Sequence, residues 1–180
     1  MKKAVLISIK PEYVAKILNG EKTIEVRKTA PKCELPVDVY IYCTKTIKPV
    51  SRYDWGEFTF DDLPKLGKVV AKFVLRKVED VLRVYGPYPC DALRPDCRTK
   101  TLIPDEFYDM SCLSQSEVIS YGNGGKVYAW HISDLEIFDK PRPITDFQGK
   151  MIFGAKPPQS WKYIYSDEIT EGEKKNDKAN

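Results

Sequence analysis

The sequence predicts a small mixed α+β domain. Three observations carry this: short apolar runs with strand periodicity, one early helical stretch after the first of them, and one later helical stretch before the last long one. A chain of 180 residues is long enough for one domain with a real core and short for two. With 12% aromatic and 31% charged residues, the body has the composition of a folding chain.

Ala4 to Ile9 is an apolar run consistent with a buried strand. Pro11 suits a first helical position, and Val14, Ile17 and Leu18 share one helix face. Asn19-Gly20 ends that helix, because glycine accepts the left-handed conformation a helix stop needs. From Lys22 to Lys28 the period changes to two. Ile24 and Val26 point one way, and Thr23, Glu25 and Arg27 the other. Lys22 has the opposite parity to Glu25, but at the strand mouth its long side chain can turn toward the helix C-terminus.

Residues 30–36 form a turn-rich link, and Val37 to Cys43 a strand with Tyr40 and Tyr42 on its second face. Residues 45–64 read as an aromatic loop holding Tyr53, Trp55, Phe58 and Phe60. These rings either close one end of the core or form a stacking platform for a base. Gly67 to Val78 is a strand, with Val69, Ala71, Phe73 and Leu75 on one side and Val70, Lys72, Val74 and Arg76 on the other. Residues 85–104, with four prolines and the basic Arg94, Arg98 and Lys100, form an irregular insertion. Ile103 to Tyr121 is helical toward its end, where Ser114 and Glu117 have capping-box spacing, and 121–125 is a glycine-rich turn. Lys126 to Phe138 is a strand in which Val127, Ala129 and His131 share a face. Pro141 to Ile144 and Lys156 to Ile164 are extended, the latter packing Trp161 and Ile164 on the sheet. Residues 1–165 thus make one domain, and 166–180 a polar tail expected to be disordered.

Net charge is only +3, which does not by itself argue for nucleic acid. No apolar run reaches the ~20 residues of a membrane span, and the N-terminus lacks a cleavage site, so the chain reads as cytoplasmic. The cysteines, Cys33, Cys43, Cys90, Cys97 and Cys112, are odd in number and lack CxxC spacing, so free thiols are expected. A zinc site from Cys90, Cys97, Cys112 and His131 is the weaker alternative, and no cofactor is expected. His131, the only histidine, lies inside a strand and reads as a structural group.

The residues needing explanation are Gly20, Lys22, Glu25 and Arg27. From spacing alone, two readings stay open. One is an exposed strand face with an ion pair worth about 0.2–1 kcal/mol. The other is a small polar pocket with two cations and one carboxylate, to which the glycine admits a ligand.

Gly20-x-Lys22-x-x-Glu25-x-Arg27 resembles the signature of the ASCH domain, a relative of the PUA fold of RNA-modifying enzymes. The flanking text also resembles that family: an apolar strand, Lys10-Pro11, a helix ending in Leu18-Asn19-Gly20, the segments 39–44 and 67–73, and Pro157-Pro158-Gln159-Ser160. The resemblance implies a PUA-like open β-barrel of five or six strands with two or three short helices. It also implies an RNA- or nucleotide-binding cleft beside the Gly20–Arg27 strand. There Lys22 and Arg27 meet phosphate or a base edge, Glu25 accepts from an exocyclic amine, and Tyr53, Trp55, Arg98 and Lys100 are outer contacts.

Small members of the family resemble amidohydrolases acting on a modified nucleoside, and others metal-assisted ribonucleases. Lys22 matches the amidohydrolase lysine, with Glu25 as its orienter. Glu25 stands where those enzymes have a threonine, and the distal glutamate finds only Glu117 or Asp109 in its region. A protein-interaction module without a small ligand is the third expectation.

Overall fold

The computed structural model of the chain describes residues 2–45, 65–81, 103–147, 156–165 and 169. The first apolar run forms β1 (Lys3–Ile9), buried from Ala4 onward. Pro11 opens α1 (Pro11–Leu18), whose Val14, Ala15 and Ile17 are buried. Gly20, at φ +80°, turns the chain out of that helix, and the space beside its Cα is open, so its requirement is conformational. There follow β2 (Ile24–Arg27), β3 (Val37–Cys43), β4 (Lys68–Asp80), α2 (Asp105–Ser111), α3 (Gln115–Gly122), β5 (Tyr128–Pro143), a 3-10 turn (Ile144–Phe147) and β6 (Trp161–Tyr165).

The six strands form one sheet in the order β2-β5-β4-β3-β1-β6. β1 and β3 are parallel, as the α1 crossover between them permits, and every other pair is antiparallel. β2 and β6 lie at opposite ends of that order, yet Arg27 of β2 contacts Ser8 of β1 and Ser160, the residue before β6. The sheet therefore curls on itself as an open barrel, the α+β architecture the sequence predicts. Its interior holds the main core, with Val5, Ile7, Val39, Ile41, Phe73, Leu75 and Trp130 all out of water. A fully buried side chain of this kind contributes about 1.5–3 kcal/mol.

A second core lies on the far face of β2. Ile24 and Val26 pack there with Phe107 of α2, Val118 of α3, and Val81, Ile103, Val127 and Ala129. A third joins Ala4, Leu6, Tyr42, Val69, Phe147 and Ile164.

Several expectations change in detail. The motif strand is shorter than 22–28, because Lys22 stays with the helix end: its N–H donates to Lys16 O (3.0 Å). Val69 and Val70 exchange roles. A bulge in the β4–β5 pairing between Val69 and Ala71 puts Val70 beside Ala71 in the main core and Val69 in the third. The helical stretch divides in two at Cys112, which is left-handed (φ 51°), and Ser114 and Glu117 form the expected capping box on α3. β5 runs on to Pro143 and absorbs the segment expected to follow it. Trp161 and Ile164 both pack, on opposite sides: Ile164 in the third core, Trp161 edge-on to Trp130 with ring centroids 5.5 Å apart.

Among the described residues, Cys33, Cys43 and Cys112 are in no disulfide. Tyr53, Trp55, Arg98, Lys100, Cys90 and Cys97 lie outside the described residues, as does the 166–180 tail apart from Ile169. Among the described residues no helix is long and apolar enough to cross a membrane.

Candidate functional site

β2 is the element on which the polar residues of the motif assemble. Its register with β5 sets Glu25 opposite Trp130 and Arg27 opposite Tyr128, so Glu25 and Arg27 face the barrel side. Ile24 and Val26 take the other face and are held by α2 and α3. The expected alternation is present, but both faces are covered. Lys22 is 2% exposed, Glu25 6% and Arg27 8%. The exposed strand face with a weak surface ion pair is therefore not what forms.

The three charges form one network. Lys22 Nζ lies 3.5 Å from Glu25 Oε2, and Arg27 Nε lies 3.0 Å from Glu25 Oε1. Lys22 Nζ also donates to the Ser111 carbonyl (2.5 Å) at the end of α2 and sits 5.3 Å from the centre of the Tyr13 ring. Thr23 N–H donates to Met110 O (2.8 Å), so main chain and side chain both tie this turn to α2. Arg27 reaches the opposite way. Its Nη2 donates to Ser8 O (2.6 Å) and its Nη1 to Ser160 Oγ (3.2 Å). Ser8 in turn donates through Oγ to Pro158 O (2.6 Å), and its N–H to Ser160 O (2.9 Å). The seam where the curled sheet meets itself is thus joined by polar side chains centred on Arg27.

Donor capacity differs between the two cations. Lys22 spends its ammonium on a carbonyl, a carboxylate and a ring face. Arg27 has five N–H donors, of which two make aligned bonds to described residues. Its buried Nε–H contacts Glu25 as an ion pair but is not aligned for a hydrogen bond.

Burial pushes the Lys22 pKa down, an effect opposed in part by the Glu25 carboxylate. Tyr13 is pushed up to about 12, mainly by burial and then by Glu117, Glu12 and Glu25. Burial also raises Tyr121; the Arg27 charge and a hydrogen bond from the Lys28 N–H pull it back, while Glu25 pushes it further up.

Lys22, Glu25 and Arg27 therefore come together, with Gly20 at the turn that delivers them. The spacing did not reveal the surrounding groups, Ser8, Tyr13, Ser111, Tyr121 and Ser160. Ser160 alone carried a signal, as the last residue of the Pro-Pro-Gln-Ser stretch, which marks the resemblance to the family and not a place in the site. Glu117 is held by its cap, accepting from Ser114 N and Oγ at 2.7 Å each. His131 pairs with Glu79 (2.5 Å) on the opposite face of the sheet from Glu25. Among the described residues no three of His, Cys, Asp and Glu lie close enough to share a metal ion.

A six-stranded sheet curled on itself, with helices packed against it, is a PUA-like open barrel of the α+β class. The family model of the ASCH domain matches residues 7–142, and the chain belongs to that family. An ASCH domain-containing ribonuclease of Zymomonas mobilis is 37% identical over 56 residues, 31% of this chain and 38% of that relative. The match thus spans well under half of that relative's length. The crystal structure of ASCH from Zymomonas mobilis superposes with a TM-score of 0.57 at 19% identity, covering 92% of this chain and 90% of that one. Crystal structures of two of its point mutants agree with the same TM-score. At such identity the likeness shows the fold.

Proposed function

We propose that this ASCH domain binds RNA or a nucleotide at the Lys22–Glu25–Arg27 seam. The observation that carries the reading is Arg27: a guanidinium nine-tenths buried, paired to a carboxylate, with donors that no described residue takes. A buried cation retained with unused donors costs stability unless a ligand takes them. Its planar fork matches the paired oxygens of a phosphate. Glu25 has lone pairs to offer an exocyclic amine, and the network carries one net positive charge. Lys22, anchored on the Ser111 carbonyl and paired with Glu25, acts by charge and by fixing Glu25.

The test is binding of RNA as a function of salt. Arg27→Ala should weaken affinity and flatten the salt dependence by about one unit of log–log slope, with the fold retained. An unchanged isotherm rejects the site.

A second reading, RNA cleavage, is favoured by the ribonuclease relative and by the burial of Lys22. Here Lys22, with its pKa pushed down, moves the proton and Glu25 orients it. Lys22→Met would then abolish cleavage while leaving RNA bound. Loss of both together points to binding alone.

A further inference from the structure

Lys28 and Tyr121 stand at the rim of the seam and take no part in holding it. Lys28 directly follows Arg27 at the end of β2 and is exposed. Tyr121 lies in the last turn of α3, and with 37% of its surface in water it is one of four large apolar side chains left exposed among the described residues. The Lys28 ammonium sits 5.2 Å from the centre of its ring. The ring lies close enough to Arg27 and Glu25 to feel their charges.

The comparison with Lys22 and Tyr13 is informative, because the same pairing recurs in the network. There the ammonium is buried and also anchored on Glu25 and Ser111. The Lys28 side chain makes no ion pair or hydrogen bond to any described residue; the ring is its one partner there. A hydrated ammonium on a four-carbon stem leaves a ring face easily. A nucleobase covers that face with more contact, and such stacking is indifferent to which base it is. Displaced from the ring, the Lys28 ammonium, on the residue after Arg27, is free to meet a phosphate.

We propose that Tyr121 and Lys28 form a second nucleotide subsite: the ring stacks the base adjacent to the nucleotide at Arg27, and Lys28 takes the phosphate between them. This rests on the RNA-binding reading of the seam. The ligand it selects is single-stranded RNA of two or more nucleotides, because a paired base offers no free face.

The experiment titrates fluorescein-labelled oligo(A), oligo(U) and oligo(C) RNAs, each about ten nucleotides long, against the full chain and its variants, from about 50 to about 200 mM salt. Tyr121→Ala should weaken all three by about tenfold. Tyr121→Phe keeps the ring, gives up the hydroxyl, and should bind like the parent. Lys28→Ala should lower the log–log salt slope by about one. If Tyr121→Ala does not fold, Tyr121→Leu, which keeps bulk without a π face, takes its place. A folded Tyr121 variant without the ring that binds all three unchanged overturns the subsite and leaves the seam standing. So does a loss confined to one base. A parent chain that binds none of the three overturns the seam and the subsite together.

Discussion

Two groups of paired charges on this sheet differ in almost nothing but water. Across β4 and β5, Lys72 pairs with Glu136 at 2.9 Å and Arg76 with Asp134 at 2.7 Å, on the solvated side. At β2, Glu25 holds Lys22 at 3.5 Å and Arg27 at 3.0 Å, all three almost wholly buried. The distances alone would rank the surface pairs first. The surface charges lose little if separated, because water and salt replace the partner. Each buried charge has given up several kcal/mol of hydration and depends on its neighbours to recover it. A fold optimised for stability alone has no reason to keep them, and that is why burial rather than proximity marks the candidate site.

Glu25 holds both buried cations, so its loss should have the largest effect. Glu25→Gln leaves two buried cations facing each other and should destabilise the domain by about 3–5 kcal/mol, read from urea unfolding. A loss below 1 kcal/mol would mean that water already reaches the network freely.

Combining Lys22→Met with Glu25→Gln should come next in size. Removing one cation along with the carboxylate relieves part of the damage, so the cycle should show a coupling of about 0.5–3 kcal/mol. Purely additive losses would mean that the two groups do not interact.

The two lysines should also respond to pH with opposite signs. Lys22 has a folded pKa below 10.5, so between that value and 10.5 the unfolded chain binds more protons. Stability then rises with pH, and Lys22→Met removes the rise. Lys72 has a folded pKa raised above 10.5, chiefly by the hydrogen bond it donates to Glu136. Its contribution is complete below 10.5 and lost as pH climbs through the raised value, so Lys72→Met removes a fall. Unfolding curves across the alkaline range, each against the parent, give both signs. Two changes of the same sign would erase the distinction between the regions.

The smallest effect belongs to the surface ladder. Arg76→Ala should cost less than about 1 kcal/mol at low salt and nothing measurable near 1 M.

Much of this was legible in the sequence. Pro11, Gly20, the capping box at Ser114 and Glu117, and the period-two strands all act through local chemistry, and all are found. The parity of β2 was legible too, with Ile24 and Val26 against Glu25 and Arg27. What covers each face was not, because Phe107 and Val118 lie some eighty to ninety residues downstream. Sequence separation likewise hides the Lys22 anchor on Ser111, 89 residues on, and the Arg27 anchors on Ser8 and Ser160, 19 and 133 residues away. The bulge beside Val69 was illegible for another reason: it depends on the length of the partner strand, which local alternation does not record. The exposed strand face with a weak ion pair failed because spacing gives the direction of a side chain and not the depth at which it ends.

On this proposal, the Arg27 donors that no described residue takes are kept for RNA. The most direct measurement is the side-chain Nε–H resonance of Arg27 in isotope-labelled protein, assigned by its loss in Arg27→Lys and followed as RNA is added. A shift of that resonance that saturates with the binding isotherm is the predicted result. A resonance that stays in place while RNA binds elsewhere on the domain would contradict it.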